Sequence, residues 1–111
     1  MEIKDRAVND VIVISLDGSI DAMTAPKITE FIHEQVGKGN IKLVADLGGV
    51  DYTSSAGLRV MLGAIKETRS QGGDLRLTGI QPDVQKVLSL SGFTNILKTF
   101  DNLDAAVASY S

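Results

Sequence analysis

Val50-Asp51-Tyr52-Thr53-Ser54-Ser55-Ala56-Gly57-Leu58-Arg59-Val60-Met61-Leu62 decides how this chain is read, because a run of small hydroxyl residues opens directly into an amphipathic pattern. Leu58, Met61, Leu62 and Ile65 fall at i, i+3, i+4 and i+7, one apolar stripe of a helix that reaches about Arg69. Ser54 or Ser55 is then its N-cap. A serine oxygen there satisfies an orphan N–H of the first turn, and its hydroxyl sits at the positive end of the helix dipole, which favours an anion. Gly57 and Gly63 lie inside the same helix, and each costs about 1 kcal/mol relative to alanine, so each needs a reason. For Gly63 the expectation is close packing of the helix backbone on a sheet. For Gly57, beside the serines, packing competes with a bare surface that lets another protein's active site reach the hydroxyl.

Upstream, Ile41-Lys42-Leu43-Val44-Ala45-Asp46-Leu47 reads as a strand, and Gly48-Gly49 as the turn toward the motif. Val11-Ile12-Val13-Ile14-Ser15-Leu16 is β-branched and nearly continuous in its apolarity, as a strand buried on both faces should be. These two runs are expected at the centre of the sheet. Met1 to Ala7 alternates weakly and suits a solvated edge strand, joined to the next by a hairpin turn at Asn9-Asp10. Between the two central strands, Thr24 is placed to cap a helix with Pro26 in its first turn; Ile28, Phe31, Ile32 and Val36 form its buried stripe, and Gly37 and Gly39 stop it.

Downstream, Gln71-Gly72-Gly73-Asp74 closes the motif helix, and Leu75-Arg76-Leu77-Thr78 alternates as a half-exposed strand should. Pro82 opens a short helix carrying Val84, Val87 and Leu88 and stopped near Gly92. Phe93, Ile96, Leu97 and Phe100 form a last apolar segment with a short strand around Lys98 to Phe100. Asp101 is expected to cap a terminal helix, with Asp104 at the capping-box spacing and Leu103, Ala106, Val107 and Tyr110 inward. Strands alternating with helices predict one α/β domain over residues 1–111, with a mixed sheet of four or five strands and about four helices. The motif then lies in a strand-to-helix turn, where open α/β sheets place their functional groups.

Composition narrows the function. A chain of 111 residues with 43% hydrophobic residues builds an ordinary core, and a domain of that size buries roughly two-thirds of the surface its unfolded chain exposes. The absence of cysteine removes disulfides, thiolate nucleophiles and cysteine metal sites together. With 11 basic against 14 acidic residues, 5% aromatics and no Lys/Arg cluster, the chain lacks what phosphate neutralisation and base stacking require. A protein partner is expected instead of nucleic acid. The N-terminus has no signal-peptide core and no apolar run reaches a membrane span, so the expected setting is cytoplasmic, with no membrane partner.

The serines invite a hydrolase reading, but no G-x-S-x-G surrounds them, and the one histidine, His33, sits beside Glu30 and Glu34 on a solvated helix face. Asp46 at a strand end resembles a receiver phosphoacceptor, yet the acidic pair that would hold Mg²⁺ on an earlier strand is missing, since Asp17 is followed by Gly18. An aspartate that ends a strand and starts a turn accounts for it better. No P-loop pattern occurs. A hydroxyl on a helix N-terminus without catalytic machinery of its own has the makeup of a substrate rather than an enzyme, with no cofactor.

The order of elements, Gly18-Ser19-Ile20-Asp21, and above all Tyr52 to Leu58 resemble the STAS domain of bacterial anti-sigma factor antagonists. The similarity covers essentially the whole chain, including the pattern from Gly92-Phe93 to Ala106. In that family a D-S-[ST]-G-L motif carries a serine phosphorylated by a partner that is both kinase and anti-sigma factor. The resemblance places the phosphoacceptor on Ser55, the following small residue on Ala56 and the glycine on Gly57, with Ser54 standing where the family commonly has aspartate. It implies a cytoplasmic switch that regulates transcription, with ATP and Mg²⁺ belonging to the kinase and a serine phosphatase resetting Ser55. The expected partner surface is Asp21, Met23, Thr53, Ser54, Ser55, Ala56, Gly57 and Leu58; Met23 is either an exposed anchor or packs under the first helix. STAS domains also serve as non-phosphorylated scaffolds, for instance as accessory subunits of transport systems, and Ser55 would then be only a helix cap.

Overall fold

The computed structural model describes residues 1–93 and 95–111. Five strands and four helices follow one another among them: β1 Glu2–Val8, β2 Val11–Asp17, α1 Ala25–Gly37, β3 Lys42–Gly49, α2 Ser55–Arg69, β4 Asp74–Thr78, α3 Pro82–Leu90, β5 Lys98–Phe100 and α4 Leu103–Ala108. The strands lie in the sheet in chain order, β1 antiparallel to β2 and every later neighbour parallel. β1 and β2 form the expected hairpin, its turn made by Asn9 with φ 58°. Val11–Leu16 and Ile41–Asp46 are both interior to the sheet, as their continuous apolarity requires.

Parallel neighbours need crossovers, and each crossover here steps the same way across the sheet, so α1, α2 and α3 gather on one face. Ile14, Ala45 and Leu77 stand side by side in register beneath them and join Leu16, Leu43, Leu47 and Leu75 in the main core. The opposite face presents Val11, Val13 and Val44, which pack against Ala106 and Val107 of α4. Two strands thus feed two cores, which is why their sequences do not alternate.

Four details depart from expectation. Strand β3 runs on through Gly48 and Gly49 instead of turning, since Gly49 pairs with Asp17 of β2, and a Cβ on Gly49 would lie 2.9 Å from the Leu16 carbonyl of that strand. Strand β4 is buried on both faces apart from half-buried Arg76, where half-exposure was expected. Its polar positions are covered by α4 and by an ion cluster. Asp74, with its side chain 5% exposed, accepts from Arg69 Nε at 2.9 Å and Arg76 Nε at 3.2 Å, while Arg76 lies 3.9 Å from the Tyr110 ring centroid. Asn102 caps α4 in place of Asp101, its side chain accepting from the Ala105 N–H at 2.8 Å. Thr24 occupies the N-cap position of α1 without capping through its side chain.

Candidate functional site

The C-terminal ends of β2 and β3 lead into two loops that are stitched together. Ile20 pairs with Thr53 in a parallel bridge; the Ile20 N–H donates to the Tyr52 carbonyl at 2.9 Å and the Ser54 N–H to the Ile20 carbonyl at 2.8 Å. The Gly18 N–H adds a bond to the Gly49 carbonyl at 2.9 Å. Backbone that would otherwise be free is paired, and the two loops form one surface.

The first loop is held from within. Asp21 Oδ1 accepts from the N–H groups of Met23 at 2.9 Å and Thr24 at 3.1 Å, an Asx turn. The Thr24 hydroxyl donates to the Ser19 carbonyl at 2.9 Å and accepts from the Asp21 N–H at 3.0 Å. Asp21 therefore shapes the loop, and Thr24 is engaged there rather than at the head of α1. Met23, at the tip of the turn, is 83% exposed and does not pack under the first helix.

The second loop separates two serines by role. Ser54 is the N-cap of α2, with extended backbone and its Oγ accepting from the Ala56 N–H at 3.2 Å. Ser55 is then the first helical residue and is exposed, its hydroxyl making no hydrogen bond among the described residues. No residue from 50 to 60 forms an ion pair among the described residues, although Asp51 and Arg59, both exposed, lie on either side of Ser55.

Thr53, Gly57 and Leu58, expected in the partner surface, are buried. Thr53 is 1% and Leu58 9% exposed, and a Cβ on buried Gly57 would collide with Thr53 Oγ1 and lie 2.9 Å from Ile20 Cγ2. Gly57 is thus glycine because the helix start is pressed onto the stitched loops. Gly63 reverses the other expectation: it is exposed, and a Cβ there would meet nothing within 4 Å. The surface that remains is Met23, Ser55 and half-buried Ala56, with Asp21 and Ser54 holding it from behind.

Other candidates fall away by position. Asp46 Oδ1 accepts from the Gly48 N–H at 2.9 Å, the strand-end role expected of it. His33 is exposed on α1 and its Nδ1 lies 3.1 Å from Glu67 Oε2 on α2, a cross-helix contact that residue spacing within α1 could not reveal. Arg59 is exposed one turn after Ser55, and the i, i+4 spacing of the two is the sequence signal that points to it. Among the described residues no helix is long and apolar enough to cross a membrane, and no group of three or more His, Asp or Glu is placed to hold a metal.

The STAS domain model matches residues 2–106. BtrV of Bordetella bronchiseptica is 34% identical over 110 residues, covering 99% of this chain and 95% of that protein. The anti-sigma-B factor antagonist of Listeria monocytogenes is 37% identical over 98 residues, 88% of this chain and 85% of the relative. Among solved structures, the Bacillus cell fate determinant SpoIIAA in its phosphorylated form superposes with a TM-score of 0.75 at 20% identity, covering 99% of this chain and 100% of that one. A Thermotoga maritima protein reaches 0.91 at 24% identity, with 96% and 92% covered. These likenesses show a shared fold.

Proposed function

The chain belongs to the STAS domain family, and on that premise we propose that it is an anti-sigma factor antagonist. Unphosphorylated, it binds a cognate anti-sigma factor that is also a serine kinase; phosphorylation of Ser55 releases it, and a phosphatase restores it. ATP and Mg²⁺ are bound by the kinase, and this chain contributes the acceptor hydroxyl, not catalysis. The similarity to a Listeria anti-sigma-B factor antagonist supports the partner class. A fold shared with SpoIIAA, which has been solved phosphorylated, supports the mode of control.

The observation that carries the reading is the division of labour between two adjacent serines. Ser54 does the capping, so the exposed Ser55 hydroxyl is spare and can be modified without removing a bond from the fold. A phosphate adds roughly −1.5 to −2 charges, which the helix N-terminus accommodates through its dipole and free N–H groups. Across an interface the same charge must be desolvated against a surface built for a neutral hydroxyl, and a penalty of about 3 kcal/mol weakens binding roughly a hundredfold.

Incubation with the cognate kinase and ATP, read by mass spectrometry, should place one phosphate on Ser55. Ser55→Ala should bind constitutively and Ser55→Asp poorly, both folded. Phosphate on Ser54 would move the site, and none at all would leave the scaffold role as the better account.

A further inference from the structure

Helices α1 and α2 each cross from the end of one parallel strand to the start of the next, so they lie side by side with both N-termini at the Ser55 edge. Between them runs a groove of about 750 Å³. Its floor is made of small side chains, Ala25, Ala56 and Val60 among them, and of Gly63. A glycine in a helix interior costs about 1 kcal/mol relative to alanine, and packing within this fold does not require the one at Gly63, since a Cβ there would touch nothing. Its bare backbone leaves the groove open to the close approach of another chain.

The ends of the groove differ in charge. Arg59 lines the end near Ser55 and has no ion-pair partner among the described residues; Glu30 and, beside His33 Nδ1 at 3.1 Å, Glu67 line the groove farther along. The positive ends of both helix dipoles lie with Arg59. An occupant complementary to this gradient has its negative end at Ser55 and its positive end over the two glutamates. Resting on the anti-sigma reading, we propose that the groove receives an amphipathic helix of the anti-sigma partner, laid antiparallel to α1 and α2. Its apolar face fills the groove at i, i+3 and i+7 spacing, an acidic residue near its C-terminal end meets Arg59, and a basic residue near its N-terminal end meets Glu30 and Glu67. Small floor residues allow such an approach at helix-packing distance. A phosphate on Ser55 then faces the acidic end of that helix, which gives the switch its repulsive partner.

The test uses the purified anti-sigma kinase of the same organism and calorimetric titration of the full chain. Gly63→Trp fills the groove at a position with free space, and should stay folded while partner affinity falls at least roughly tenfold. Arg59→Glu should weaken binding several-fold, and Glu30→Lys likewise. If Gly63→Trp binds as wild type while Ser55→Asp does not, the groove proposal is overturned and the switch stands; if wild type binds no such kinase, the switch reading itself has failed. Should sedimentation show wild type pairing with itself and Gly63→Trp monomeric, the occupant is a second copy and the proposal is again overturned. Methyl shifts in the wild-type protein need no mutation: movement of Val60 and Ala25 on adding the kinase supports the groove, and movement confined to Ala56 overturns it.

Discussion

Helix α2 begins on neutral groups and ends among charges. Its first turn rests on one serine cap, with Gly57 pressed onto Thr53 and Ile20. Its last turn delivers Arg69 to Asp74, a carboxylate also contacted by Arg76 and, at 3.8 Å, by Lys98, under a tyrosine whose hydroxyl reaches the carbonyls of Leu43 at 2.7 Å and Asp74 at 2.8 Å. Burial pushes that tyrosine's ionisation well above its ordinary range. The far end ties α2 to β4 and β5 through ionic bonds, whereas the Ser55 end is held by shape, backbone pairing and uncharged or local side-chain caps. Charge added at the Ser55 end therefore disturbs no ion pair that the fold depends on.

Removing Asp74 attacks the charged end and should have the largest effect. Asp74→Ala leaves Arg76 half-buried without its carboxylate, a loss of about 3–5 kcal/mol by the usual cost of breaking a buried pair. Urea unfolding reads this, and a loss below 1 kcal/mol would show that the two ends differ less than their contacts suggest. At the neutral end the sensitive point is steric. Gly57→Ala should destabilise by about 1–3 kcal/mol through overpacking, while Gly63→Ala, six positions on, should stabilise by up to ~1 kcal/mol through helix propensity. Thermal unfolding of the pair compares them within one helix, and equal shifts would mean that the packed and the open glycine do not differ.

Ser54→Ala should give the smallest of these losses, about 1 kcal/mol for a lost cap, with Ser55 still open to phosphorylation. Denaturant midpoints measure it. If Ser55→Ala instead costs as much as Ser54→Ala, the two serines share the capping and the spare hydroxyl is not spare.

Most of the fold was legible because its signals are local. Val11–Leu16 could be assigned to the interior since a strand feeding two cores cannot alternate, and Lys98–Phe100 was placed by the apolar residues flanking it. What misled was tertiary. Leu75-Arg76-Leu77-Thr78 alternates like a half-exposed strand, but Arg76 pairs with Asp74 and is covered by Ser109 and Tyr110, more than thirty positions away. The site was legible as a helix start rich in hydroxyls. Which serine caps it, and which glycine is packed, depends on Ile20 and Thr53 meeting across two loops, and sequence spacing carries no trace of that contact.

The order of the strands bears on how the molecule is made. Because β1 to β5 lie across the sheet in the order in which they are synthesised, each strand leaving the ribosome finds its neighbour already in place. Pairing proceeds outward without waiting for a distant segment, which keeps contacts short in sequence and exposed edges brief. The exception is α4, the last element in chain order, whose Tyr110 closes over β3 and β4. Until it arrives Val11, Val13 and Val44 stand open to solvent, so a nascent chain stalled before Leu103 is the form most exposed to aggregation, and α4 with Tyr110 acts as the clasp.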